Sequence, residues 1–160
     1  MKEPITSFEN EFAFLSNFYH SPIVYEGIKY PTVEAAFQAA KTFNEIEKKT
    51  IAAAATPGQA KRLGRRVSLR PDWEQVKDSV MEELVRLKFT SSPTLAIQLW
   101  STGDRELVEG NWWNDTYWGV CNGVGRNQLG KTLMKIRTEL KIKAQMINTL
   151  EKDIESIDKN

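Results

Sequence analysis

Apolar residues change their spacing along this chain, and each change marks a different kind of element. Between residues 8 and 30, the aromatics Phe8, Phe12, Phe14, Phe18 and Tyr19 precede Ile23-Val24-Tyr25, a Glu26-Gly27 turn and Ile28-Lys29-Tyr30. Short apolar runs about a two-residue turn predict extended pieces closing in a small β-hairpin. Beyond Tyr30 the period becomes helical. Pro31-Thr32 opens a helix with Thr32 as N-cap, followed by an alanine-rich run from Glu34 to Phe43. Thr56-Pro57-Gly58-Gln59 has the capping-box form, with proline at the first helical position. Asp72-Trp73-Glu74-Gln75 repeats the signal, and Trp73, Val76, Val80, Leu84 and Leu87 share one face of the helix it opens. Ser92-Pro93 starts a shorter helix ending near Gly103. Residues 104–126 lose periodicity and are rich in glycine and tryptophan, and a last helix sets in near Asn127.

This pattern describes a mainly α fold, α+β only through its small N-terminal β-hairpin, in one compact helical domain. The last helix outruns what the core needs. Leu133, Ile136, Leu140, Ile147, Leu150, Ile154 and Ile157 follow a 3-4 spacing that Lys143 interrupts. The chain thus divides into a domain of residues 1–141 and a helical extension of residues 142–160. The extension reads as a coiled-coil seam joining a homodimer, or as a segment that packs on its own domain or frays.

Composition narrows the chemistry. A chain of 160 residues suits one domain with a real core. No apolar run approaches the roughly 20 residues that span a bilayer, so no membrane partner is expected. The N-terminus lacks the apolar stretch of a signal peptide, and the one cysteine, Cys121, suits a reducing compartment, so a cytoplasmic protein is expected. With only His20 and Cys121, no Cys/His zinc cluster can form. A net charge of +1 argues against a polycation built for duplex DNA. Catalysis must therefore rest on carboxylates, lysines, arginines and backbone amides, with no metal or cofactor expected.

Four constellations offer such chemistry. Glu34, Gln38 and Lys41 lie on one helical stripe and could hold a polar ligand while moving protons; the plain alternative is a solvated face. As a first-turn residue, Glu34 is expected to be held as an anion by the helix dipole, suited to act as a base or cation stabiliser. Lys61, Arg62, Arg65, Arg66 and Arg70 place two cationic edges on one short stretch, suited to a phosphate or to water. Glu109 to Gly119 concentrates Trp112, Trp113, Tyr117 and Trp118 around Asn114 and Asp115, either to sandwich a heterocycle or to close a small core. Lastly, Gly125-Arg126-Asn127-Gln128-Leu129-Gly130-Lys131-Thr132 matches the phosphate-loop pattern. No apolar strand precedes it, which weighs against an NTPase, although its amides could still meet a phosphate at the helix N-terminus.

Taken in order, the strings resemble the NADAR family of YbiA-like N-glycosidases. They are Phe14-Leu15-Ser16-Asn17-Phe18, Tyr30-Pro31-Thr32-Val33-Glu34, Phe37-Gln38-Ala39-Ala40-Lys41, Ala60-Lys61-Arg62-Leu63-Gly64-Arg65 and Asp72-Trp73. Val80-Met81, Lys88-Phe89, Leu107-Val108-Glu109, Asn114 to Gly119 and Asn127-x-Leu129-Gly130 follow, with Leu133-Met134-x-Ile136-Arg137 closing the match. The resemblance implies hydrolysis of a C–N bond between ribose and an amine or base. Its substrates would be phosphoribosyl intermediates of riboflavin synthesis, or ADP-ribose on guanine in nucleic acid. The family's catalytic carboxylate falls on Glu34, and its ligand contacts on Asn17, Phe18, Lys41, Arg65, Asp115 and Trp118. Gln38, Gly119 and Asn127 are added as binding residues, Asp115 and Lys41 as partners in catalysis, and Arg65 as the phosphate holder. The same pattern makes Lys131 an accidental match to the phosphate loop. One departure stands out: members often carry His directly after the catalytic Glu, where this chain has Ala35. A non-catalytic module binding ADP-ribose or an NAD derivative is the rival expectation, and a small NTPase a further one.

Overall fold

A computed structural model describes residues 2–159. The hairpin forms where the apolar runs place it, with β1 (Ile23–Tyr25) antiparallel to β2 (Ile28–Tyr30) and Ile23 opposite Tyr30. Glu26 and Gly27 both take positive φ, the backbone that two-residue hairpin turns need to match strand twist. Helix α1 (Val33–Ala39) follows. Thr32 caps it by accepting the Ala35 N–H, and every one of its residues is buried. Its alanines are what allow this: α2 (Glu45–Ala52), α3 (Pro57–Gly64) and α4 (Trp73–Ser91) all close on it. α4 in turn packs on α5 (Pro93–Ser101) and α6 (Gln128–Ile157). Leu84, Phe89, Leu99, Leu107, Leu129 and Leu133 form the fully buried centre. Two residues each of β3 (Gly110–Asn111) and β4 (Val120–Cys121) pair in parallel within the irregular segment.

Several expectations need correction. Residues 10–15, expected to be extended, form a 3-10 helix (Asn10–Leu15) that buries Phe14 and Leu15 together. α1 stops at Ala39, short of Phe43, because Thr42 is held elsewhere: its hydroxyl donates to Glu47, and it bridges to Leu69. α2 was not anticipated from periodicity, since Ile46 is exposed and its inward face mixes Ile51 with the buried Lys48; its start is fixed by Asn44, which accepts the Ile46 and Glu47 N–H groups. Asp72 stands at the start of α4 but makes no cap bond, its carboxylate being taken by Arg70 at 2.6 and 2.9 Å.

The phosphate-loop reading fails on hydrogen bonding. The N–H groups of Arg126, Asn127, Gln128 and Leu129 donate to the carbonyls of Thr116, Gly119, Tyr117 and Trp118 respectively. None of these four amides is left to cradle a phosphate, so neither the NTPase nor the milder anion-site reading holds there. α6 changes character along its length. Leu129, Leu133 and Ile136 are core, whereas Ile147, Leu150, Ile154 and Ile157 are exposed. The extension therefore does not pack on its own domain, and the boundary at residue 141 falls inside one continuous helix. Among the described residues no helix is long and apolar enough to cross a membrane.

Candidate active site

A cavity of about 460 Å³ opens beside α1, within the range of small-molecule sites. α1 contributes Glu34, Phe37 and Gln38 to it, with Lys41 just beyond the helix end. Ser16, Asn17 and Phe18 form one wall, next to Ser7, Phe8 and Glu9, and Met81 of α4 joins them. The irregular segment supplies Glu109, Gly110, Trp113, Asp115 and Trp118, and α3 supplies Lys61. The wall at Ser16 is braced from behind. Lys88, buried in α4, donates from Nζ to the Ser16 carbonyl at 2.8 Å and lies over the Tyr19 and Phe89 rings. Burial lowers that ammonium to about 7.

Glu34 is 8% exposed, and its Oε1 accepts a 2.8 Å hydrogen bond from Gln38 Nε2. The spacing of four along α1 makes this bond. Gln38 fits only because α3 offers Gly64 opposite it, where a Cβ would meet Gln38 Oε1 at 2.0 Å. Burial raises the Glu34 carboxyl above the ordinary carboxylate range. The Gln38 bond and the charges of Lys61 and Lys41 pull it back, while Asp115 adds to the rise. This reverses the balance expected from the helix dipole: α1 has only seven residues, and desolvation outweighs the field of so short a helix. Lys41 is half-buried and lowered, first by desolvation and then by Lys61 and Arg65, against the pull of Glu34.

Of the residues singled out from the sequence, Asn17, Phe18, Glu34, Gln38, Lys41, Asp115 and Trp118 converge on this cavity. The Asp115 carboxylate also has a local task, accepting the Tyr117 and Trp118 N–H groups on Oδ1. Trp118 packs edge-on against Phe37 at 5.4 Å, so one of its faces belongs to the core. Phe18 and Trp113 line the cavity while remaining 45% and 48% exposed.

Arg65, Gly119 and Asn127 do not line the cavity. Arg65 is exposed at the end of α3, near enough for its charge to act on Lys41. Within the basic cluster it is Lys61 that reaches the cavity, and Arg70 is tied to Asp72. Asn127 is buried and works on the backbone, accepting the Glu109 N–H at 3.0 Å and donating to the Leu107 carbonyl at 2.9 Å. Gly119 lies against Glu109: a Cβ there would meet the Glu109 carbonyl at 2.2 Å. Both residues thus converge on Glu109, which was not among the expected site residues. Its side chain lines the cavity, and its Oε2 is buried without a hydrogen-bond partner. Burial, with the charges of Asp115 and Glu34 adding to it, raises this carboxyl to about 8, and Lys61 opposes the rise. The sequence signal was present in Leu107-Val108-Glu109, but nothing in the spacing says which of its side chains turns inward.

Fold and site together define a small helical protein with a pocket lined by carboxylates, lysines and aromatic rings. The chain belongs to the NADAR family: the NADAR domain model matches residues 5–141. It is 38% identical over 148 residues to N-glycosidase YbiA of Escherichia coli (strain K12), covering 89% of this chain and 92% of that one. It is 40% identical over 132 residues to N-glycosidase Npun_R5314 of Nostoc punctiforme, covering 79% and 84%. A riboflavin biosynthesis protein of Vibrio vulnificus, VVA0006, is 38% identical over 146 residues that make up 39% of its length. The NMR structure of E. coli YbiA superposes with a TM-score of 0.79 at 37% identity, covering 91% of this chain and 89% of that one.

Proposed function

We propose that this chain hydrolyses the C–N bond between a phosphorylated ribose or ADP-ribose and an amine or base. Its substrates would be ribosylamino-pyrimidine phosphates of the riboflavin pathway, or ADP-ribosyl-guanine in nucleic acid. The coarse class, an N-glycosidase, follows from family membership and the relatives' activity. The observation that carries the site is Glu34, a buried carboxylate oriented by Gln38 on the wall of a cavity that also holds Asp115, Lys41 and Lys61.

Breaking an N-glycoside builds positive charge on C1′ and the ring oxygen. An ionised Glu34 beside them stabilises that charge and takes a proton from the attacking water. A carboxyl raised towards the working pH is a better base than an ordinary one. Asp115 orients the sugar, Lys61 supplies positive charge for the phosphate with Arg65 adding to the field from outside the cavity, and Phe18 and Trp113 offer faces for the base.

The test uses both labelled substrates with wild type and Glu34→Gln. Wild type is expected to release ribose phosphate or ADP-ribose, and the variant to be slower by about 100-fold or more. Binding of both substrates without cleavage would turn the reading to a non-catalytic ADP-ribose module. A second chemical route is favoured by the lowered Lys41 amine, which could attack the opened sugar aldehyde and form a Schiff base. Borohydride added during turnover is expected to fix a substrate mass on Lys41 if that route operates; no adduct counts against it.

A further inference from the structure

Glu34 can serve as the base, but cleavage of a C–N bond also needs a proton at the departing nitrogen, because an amide-like anion is a poor leaving group. Among the cavity side chains, Glu109 meets that need. It comes from the segment leading into β3, separate from α1 that carries Glu34, so the two carboxyls approach the cavity from different elements. Its Oε2 is buried and makes no hydrogen bond within the protein. An unpartnered buried oxygen of this kind is costly, and a ligand atom that accepts or shares its proton would remove the cost. The fold fixes this residue from three directions. Asn127 holds its N–H, Val120 donates to its carbonyl at 2.8 Å, and Gly119 leaves room for that carbonyl.

We infer that Glu109 is the proton donor of the reaction, delivering its carboxyl hydrogen to the leaving nitrogen as the C1′–N bond breaks. The inference rests on the N-glycosidase reading above. The bonding electrons pass to nitrogen, which gains the Glu109 proton. Water adds to C1′ and gives one proton to Glu34. The products are the free sugar hydroxyl and the neutral amine, leaving Glu109 ionised and Glu34 protonated, and one proton exchange with solvent resets the pair. The groups facing Glu109 favour the protonated start: Glu34 from α1 and Asp115 from the following loop repel its anion, with Lys61 of α3 opposing them. Glu9 and Lys41 complete the charged lining of the cavity.

The experiment compares two ribosides of the same sugar phosphate. One carries an aminopyrimidine, which needs a proton to leave; the other carries 4-nitrophenol, which leaves as a stable anion. Glu109→Gln is expected to slow kcat on the amine at least about 100-fold while cutting the nitrophenyl riboside within a few-fold of wild type. Glu34→Gln is expected to slow both. Wild type should show a basic limb in its pH–rate profile with the amine and none with the nitrophenyl substrate. Equal slowing of both ribosides by Glu109→Gln, or no slowing of either, would overturn the assignment. So would a basic limb that persists with nitrophenol, which would point to Lys41 instead. Should Glu109→Gln fail to fold, the two wild-type profiles decide. A wild type that cuts neither riboside, nor the ADP-ribosyl DNA, removes the glycosidase reading itself, which is a different result from a failed proton donor.

Discussion

At the scale of single residues, Glu34 and Glu109 are the two pocket carboxyls that burial raises above the ordinary carboxylate range. Glu109 titrates near 8 in the fold against an ordinary 4.5, so between these values the folded chain holds a proton that the unfolded chain has lost. Stability contributed by that residue therefore falls as pH rises from about 4.5 to 8, and the loss is complete above that window. Glu109→Gln keeps the shape and cannot ionise. The variant is expected to be more stable than wild type at pH 9, on the order of a few kcal/mol, with the difference gone by pH 4. Urea unfolding at the two pH values measures it. The side chains of Glu34, Gln38 and Lys41 were legible because a helix period forces them onto one stripe. Glu109 was not, because its inward turn depends on Asn127, 18 residues away.

At the scale of elements, three of the side-chain-capped helix starts read well, whereas the α2 start capped by Asn44 did not. Thr32, Thr56 and Ser92 each accept the N–H that their sequence signals promise. Helix ends read less well. α1 stops early because the Thr42 hydroxyl donates to Glu47, which also accepts from Ser68, 21 residues further along the chain. The start of α6 makes the same point from the opposite side. Its glycine-lysine string has the letters of a phosphate loop, but four of its amides already hold the 116–119 carbonyls. Lys131 is exposed and lies outside the cavity. Lys131→Ala is thus expected to keep full glycosidase rate, and calorimetry with magnesium ATP to show no binding heat in either protein.

At the scale of the whole molecule, α6 runs past residue 141 without a break while most of its later residues are exposed. The side chains of Ile147, Leu150, Ile154 and Ile157 bury little against the domain, so removing residues 142–160 sacrifices few of its contacts. The shortened chain is expected to melt within about 2 °C of the full one and to retain its kcat. Sedimentation of both at tens of micromolar then reads the coiled-coil expectation directly: a dimer held by that stripe would be lost with it. The pocket itself gathers residues from positions 7 to 118, which is why it exists only in the assembled fold.

The sequence by itself determined the hairpin, the helix starts capped by Thr32, Thr56 and Ser92, and the stripe of Glu34, Gln38 and Lys41, because these follow from local geometry within a turn or two of chain. It also carried the family, through short strings in a fixed order. Only the tertiary structure decided which carboxyls are desolvated together and that Lys61, not its arginine neighbours, reaches the pocket. The same holds for Gly119 and Asn127, which position Glu109 instead of lining the cavity. These outcomes depend on which distant elements exclude water from a side chain, and burial of that kind is set by packing across the whole chain.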